Sequence, residues 1–144
     1  MQQQHTPDFI VIDDDFINNV ICQQVIKNEL PETKIMIYTN SQQALEYIDA
    51  TYSVSGANKV VLLLDINMPA LNGWDILDQL EDASGEVKHY LKVFLLSSSV
   101  TPEDKQKAAI NHLVCGYIEK PLTQAKFNEF FPDYAKSKRC VLAD

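Results

Sequence analysis

VVLLLDINMPALNGWDIL, residues 60–77, decides the fold. Five apolar residues, Val60 to Leu64, run without interruption and stop on Asp65. Such a run between turn signals reads as a strand buried on both faces, the signature of a parallel sheet covered by helices. Asp65 is followed by Asn67, a Met68-Pro69 step and an Asn72-Gly73 turn signal, and then Trp74, Ile76, Leu77 and Leu80 return at helical spacing. The same ending recurs twice. FIVIDDD (9–15) closes an apolar run on three carboxylates, and VFLLSSS (93–99) closes one on three hydroxyls.

Working outward, strands and helices alternate. Phe9–Ile12 reads as a short buried strand, followed by Phe16, Ile17, Val20, Ile21, Val25, Ile26 and Leu30 as the inward stripe of a helix stopped by Pro31. Ile35–Tyr38 is strand-like, and Asn40 or Ser41 caps a helix turning Ala44, Leu45 and Ile48 inward. Residues 51–59 (TYSVSGANK) read as a loop. Val93–Leu96 is the fourth strand, preceded by the loop-like stretch ASGEVKHYLK (83–92). Thr101-Pro102-Glu103-Asp104 has a capping hydroxyl, Pro at the first helical position and acids in the first turn. Tyr117-Ile118 is a short fifth strand, and Thr123 starts a last helix through Phe127, Phe130 and Phe131 that Pro132 ends early. Five strands alternating with helices imply an α/β fold with a doubly covered parallel sheet.

The chain as a whole narrows the function classes. Its 144 residues are enough for one domain with a proper core, expected over about 8–134 with flexible tails at 1–7 and 135–144. A net charge of −8 argues against a nucleic-acid surface. No apolar run approaches the roughly 20 residues of a membrane span, and the N-terminus lacks a signal-peptide pattern, so a cytoplasmic protein is expected. Cys22, Cys115 and Cys140 are too far apart for a metal or disulfide motif and read as reduced thiols.

Strands that all point one way bring their carboxyl ends to one edge, where open α/β sheets bind ligands at the reversal of strand order. Asp13, Asp14, Asp65 and Ser97 are therefore expected to converge, with Lys120 joining from past the fifth strand. Carboxylates this close repel unless a cation neutralises them. Oxygen-only ligands suit Mg²⁺, which binds through one or two carboxylates and keeps its other positions for water and phosphate oxygens. A metal, an ammonium and a hydroxyl around one carboxylate suit its attack on a phosphoryl group, with Asp65 as nucleophile. Asp15 reads as a cap of the first helix or a solvated acid.

Asp13-Asp14, the stretch from Asp65 to Gly73, Ser97 and Tyr117-Ile118-Glu119-Lys120-Pro121 together resemble the receiver domain of two-component response regulators, over roughly Phe9 to Phe131. The resemblance implies a flavodoxin-like (βα)5 sheet in the order 2-1-3-4-5, as in stand-alone chemotaxis-type regulators. It implies that Asp65 takes a phosphoryl group from a sensor histidine kinase or phosphotransfer protein. Asp14, Asp65 and the backbone carbonyl of Asn67 would hold Mg²⁺, or Mn²⁺ in its place, with Asp13 acting through water. Lys120 and Ser97 would contact the phosphoryl group, Tyr117 would rotate inward, and the Lys120–Pro121 bond would be cis. A downstream protein target, and a monomer or weak phosphorylation-dependent dimer, follow from the same likeness. The chain departs from the family pattern in carrying Ser rather than the commoner Thr at 97, and Leu113-Val114 ahead of Cys115-Gly116.

Other readings compete. The chain could pass the phosphoryl group onward as a relay intermediate instead of switching a target. A hydrolase of the haloacid dehalogenase type shares a strand-end Asp and Mg²⁺ but carries Asp-x-Asp, whereas residue 67 is Asn. A flavin-binding flavodoxin would want a hydroxyl- and glycine-rich loop where three aspartates stand. A receiver that folds without being phosphorylated would not need all five residues.

Overall fold

The computed structural model describes residues 6–68, 71–83 and 85–134, so Pro69, most of the N-terminal tail and the whole of the tail from 135 lie outside it. The elements run β1 (Asp8–Ile12), α1 (Phe16–Glu29), β2 (Ile35–Tyr38), α2 (Ser41–Tyr52), β3 (Val60–Asp65), α3 (Gly73–Glu81), α4 (Gly85–Tyr90), β4 (Leu91–Ser97), α5 (Pro102–Ile110), β5 (Val114–Glu119) and α6 (Gln124–Phe130). The sheet is parallel throughout, in the order β2-β1-β3-β4-β5. This is the flavodoxin-like arrangement, with α4 as an additional helix.

β3 is buried along its whole length because it lies at the centre with helices on both faces. Side-chain alternation splits the interior into two cores. Ile10, Ile12, Leu62 and Leu64 face Ala44, Ile48, Ile76, Leu77 and Leu80 on one side. Phe9, Val11, Val61 and Leu63 face Cys22, Val25, Ile26, Phe127 and Phe131 on the other. Register sets the site: Ile12 pairs with Leu64, so Asp13 and Asp65 leave neighbouring strands side by side. The chain turns to β2 on one side of β1 and to β3 on the other, so this is where strand order reverses.

Several expectations need correction. Residues 51–59 are not all loop. Ala44, Ile48 and Tyr52 share one phase, and α2 continues until Tyr52 is buried with its hydroxyl donating to Asp8 Oδ2 at 2.6 Å. The stretch before β4 contains α4, held by the buried Val87 and by Lys88 Nζ donating to the Glu81 carbonyl at 2.9 Å. β5 covers six residues, not two. The Thr6 and Pro7 carbonyls accept from Asn58 Nδ2 and Thr33 Oγ1. The largest difference is in α1. Phe16 and Ile17 are 73% and 69% exposed, while Asn18 and Asn19 are 5% and 2% exposed. Traced back from Cys22 and Ile26 in steps of three and four, the buried phase falls on those two asparagines.

Candidate functional site

Three local devices place the site. Asp15 caps α1, its Oδ1 accepting from the amides of Ile17 and Asn18 at 3.0 and 3.3 Å. Asn72 and Asp75 form a capping box that starts α3. Gly73 is then more than a turn residue. A Cβ there would lie 2.6 Å from Ile66 Cα and 2.9 Å from the Asp65 carbonyl, so only glycine lets α3 press against the end of β3. Thr101 caps α5 with Pro102 at its first position, as its sequence predicts.

At the carboxyl edge, Asp13 and Asp65 are buried, at 0% and 3% exposure, and Asp14 is exposed. One carboxylate oxygen from each of the three lies within 4.8 Å of those of the other two. Lys120 Nζ joins the buried pair, 2.8 Å from Asp13 Oδ2 and 3.2 Å from Asp65 Oδ2. The Lys120 amide donates to the Ser97 carbonyl at 2.8 Å, and the Lys120–Pro121 peptide is cis. Asp65 Oδ1 accepts the Asn67 amide at 3.0 Å. The buried Ser97 hydroxyl donates to the Ser99 carbonyl at 2.6 Å and accepts from Asn67 Nδ2 at 3.3 Å. The structure brings together the side chains of Asp13, Asp14, Asp65 and Lys120, and Ser97 stands at the end of the next strand, linked to Asp65 through Asn67.

Tyr117 lies between Ser97 and α5, its hydroxyl close enough to the Ser97 side chain to interact with it. Its hydroxyl makes a long 3.5 Å contact to Asp104 Oδ2 on α5. Lys107 of the same helix lies 4.6 Å from the ring centre of Trp74 on α3.

The charges are out of balance. Burial pushes the Asp65 carboxyl up to about 6; the Asn67 amide opposes this, Asp13 adds to it and Lys120 opposes it. Burial also disfavours the Lys120 charge, yet Asp13 and Asp65 outweigh it and raise the ammonium above its ordinary range. One ammonium thus serves two buried carboxylates with a third nearby, and Asp65 remains undercompensated. A hard divalent cation with oxygen ligands fits that donor set. An amide at residue 67 cannot act as an acid or base there.

Residue reading missed Asn18 and Asn19. Asn18 Nδ2 donates to Asp13 Oδ2 at 2.7 Å, and Asn19 Nδ2 to the Asp13 carbonyl at 2.9 Å. The signal was the helical phase: polar residues where Cys22, Val25 and Ile26 demand an inward position. Burial leaves the Cys22 thiol protonated, pushing it up to about 12. Cys22 and Cys115 are free thiols, and Cys140 lies outside the described residues. Among the described residues no helix is long and apolar enough to cross a membrane.

Comparison with known proteins now adds to the geometry. Residues 9–131 match the family model described as the response regulator receiver domain. A solved two-component response regulator from Cytophaga hutchinsonii is 29% identical, with a TM-score of 0.80 over 91% of this chain and 98% of its own. The Vibrio cholerae chemotaxis protein CheY4, at 15% identity, shares the fold with a TM-score of 0.71 over 90% of this chain and 99% of its own. The sensory/regulatory protein RpfC of Xanthomonas campestris is 27% identical over 130 residues, 90% of this chain. The chain spans only 17% of that relative's length.

Proposed function

The chain belongs to the response regulator receiver family, and we propose that Asp65 is its phosphoacceptor, phosphorylated in a Mg²⁺-dependent reaction. The observation that carries this reading is Lys120 Nζ held between Asp13 and Asp65 at 2.8 and 3.2 Å beside a third carboxylate. The donor is a phosphohistidine on a sensor histidine kinase or phosphotransfer protein. A carboxylate oxygen of Asp65 bonds to phosphorus as the phosphorus–nitrogen bond breaks, and the imidazole leaves with the electron pair and takes up a proton.

Asp14, Asp65 and the Asn67 carbonyl would hold Mg²⁺, with Asp13 reaching it through water. Bound there, Mg²⁺ offsets charge on the transferring oxygens. Lys120 turns from Asp13 toward the phosphoryl group. Ser97 leaves the Ser99 carbonyl to donate to it, and Tyr117 gives up its long contact with Asp104 and moves inward. Reversing a two-state bias from 1:99 to 99:1 needs about 5.5 kcal/mol. Two or three hydrogen bonds to a charged group, at about 1.5–3 kcal/mol each, supply that order of magnitude. The face that changes comprises α5, β5 and α6 and binds a downstream protein. Exposed Phe16, Ile17 and Val20 directly follow the acidic turn, and this apolar rim seats the donor protein. The reaction belongs to the cytoplasm, where such kinases present their phosphohistidine.

Incubation with phosphoramidate or acetyl phosphate and Mg²⁺ should add one phosphoryl group by intact mass, and EDTA should prevent it. Lys120→Ala should still accept phosphate while losing the change at α5 and β5. A parent chain whose mass stays unchanged at millimolar Mg²⁺ would refute the reading. A relay role differs only in the fate of the group; transfer from phosphorylated chain to a second phosphotransfer protein within seconds would establish it.

A further inference from the structure

Asp13 is fully buried, and its carboxylate has three donors. Oδ1 accepts the Asp15 amide at 2.8 Å, while Oδ2 is shared by Asn18 Nδ2 at 2.7 Å and Lys120 Nζ at 2.8 Å. Of these, Lys120 is the one the proposed reaction takes away, since its ammonium must turn to the phosphoryl group. Asn18 is neutral and fixed: its backbone amide is capped by Asp15, and its side chain is 5% exposed on the buried face of α1. Asn19 secures the main chain beneath, donating to the Asp13 carbonyl at 2.9 Å. The Asn19 Oδ1 is itself buried without a hydrogen-bond partner, so the bond to Asp13 is what orients that amide. Two buried amides on a helix face that would otherwise be apolar, both directed at one aspartate, exceed what packing requires.

We propose that Asn18 is a positioning residue that holds the Asp13 carboxylate toward the metal pocket independently of Lys120. The lysine can then leave for the phosphoryl group without Asp13 rotating away or losing its last side-chain donor. Asn19 supports it by fixing the Asp13 backbone. This inference rests on the phosphoacceptor reading, because it concerns Mg²⁺ at the same pocket.

The test is Mg²⁺ titration calorimetry on the full chain and on Asn18→Leu, which keeps the shape and removes the donor. Metal-free thermal unfolding is recorded in parallel. The expected result is a dissociation constant raised about tenfold or more, as partners of ligating carboxylates typically give. In an Asp13→Ala background the same substitution should change the constant by no more than about twofold, because its target is gone. Equal losses in both backgrounds would make Asn18 a general packing residue and overturn the inference, as would parent-like affinity for Asn18→Leu.

Should Asn18→Leu not fold, the Asn18 side-chain amide resonances of the parent decide. They should be slow to exchange and should move on Asp13→Asn; random-coil positions indifferent to that change would overturn the inference. A parent that takes up no Mg²⁺ defeats the phosphoacceptor reading as well. A parent that binds as tightly as Asn18→Leu defeats only the inference about Asn18.

Discussion

The two halves of α1 obey different rules. In the C-terminal half, Cys22, Val25 and Ile26 face the core with Phe127 and Phe131, and Gln23, Gln24, Lys27 and Asn28 face water, with Glu29 the one charged residue buried there. In the first turns this is inverted: Phe16 and Ile17 face solvent while Asn18 and Asn19 are buried. The second half is held by the hydrophobic effect, worth roughly 1.5–3 kcal/mol for each large side chain buried. The first half is held by the Asp15 cap and by the hydrogen bonds of Asn18 and Asn19 to Asp13, which contribute little net but cost about 1–3 kcal/mol when left unmade. The contrast teaches that the start of this helix serves the acidic edge and its end serves the core. A local violation of the pattern that folds the rest is where functional residues are expected.

Substitutions can break or sharpen that contrast. The largest effect is Asp65→Asn, which should abolish phosphoryl uptake, read by intact mass, without unfolding the chain. Next, in the core half, Ile26→Ala should lower stability by about 2–5 kcal/mol in urea unfolding, with the phosphorylation chemistry of the surviving fold unchanged. In the exposed half, Phe16→Ser should leave stability within about 0.5 kcal/mol. It should slow transfer from a phosphohistidine protein about tenfold, a loss typical of an interface anchor, while leaving phosphorylation by acetyl phosphate within about twofold. Equal slowing with both donors would remove the apolar rim from the account.

The smallest effect concerns pH. The folded-state Asp65 carboxyl lies at about 6, against an ordinary value of 3.8. The folded state therefore binds this proton more tightly than the unfolded state. Its contribution is complete below about 4 and is lost as pH rises through about 6. Asp65→Asn removes that loss, so the metal-free variant should melt a few degrees, roughly 2–8 °C, above the parent at pH 7. The two should converge near pH 4. A variant less stable than the parent at pH 7 would mean that the Lys120–Asp65 pair outweighs burial.

Much of this was legible from residues because the deciding signals are short-range. The run from Val60 to Leu64 places the central strand, and the carboxylates and hydroxyl that end three strands meet because a parallel sheet aligns its carboxyl ends. Thr101-Pro102 marks a helix start without help from tertiary structure. What escaped depends on packing. Hydrophobicity alone gives Phe16, Ile17 and Val20 to the inward stripe of α1, yet all three are exposed. Only the helical phase fixed by Cys22 and Ile26, together with the buried Asp13 carboxylate, shows that asparagines belong there. α4 contributes a single buried residue, Val87, too little periodicity to read, and the close approach behind Gly73 involves residues seven apart. The tether of Ser97 to the Ser99 carbonyl and Asn67 amide is a matter of side-chain rotamer, which sequence does not carry.

The central claim is most directly tested by locating the phosphoryl group. Borohydride reduces an aspartyl phosphate to homoserine, so the chain phosphorylated with Mg²⁺ present, then reduced and digested, can be mapped by tandem mass spectrometry. Homoserine at residue 65, absent when Mg²⁺ is withheld, is the predicted result. Homoserine at residue 13 or 14 instead, or a borohydride-resistant phosphate on Ser97, would contradict it.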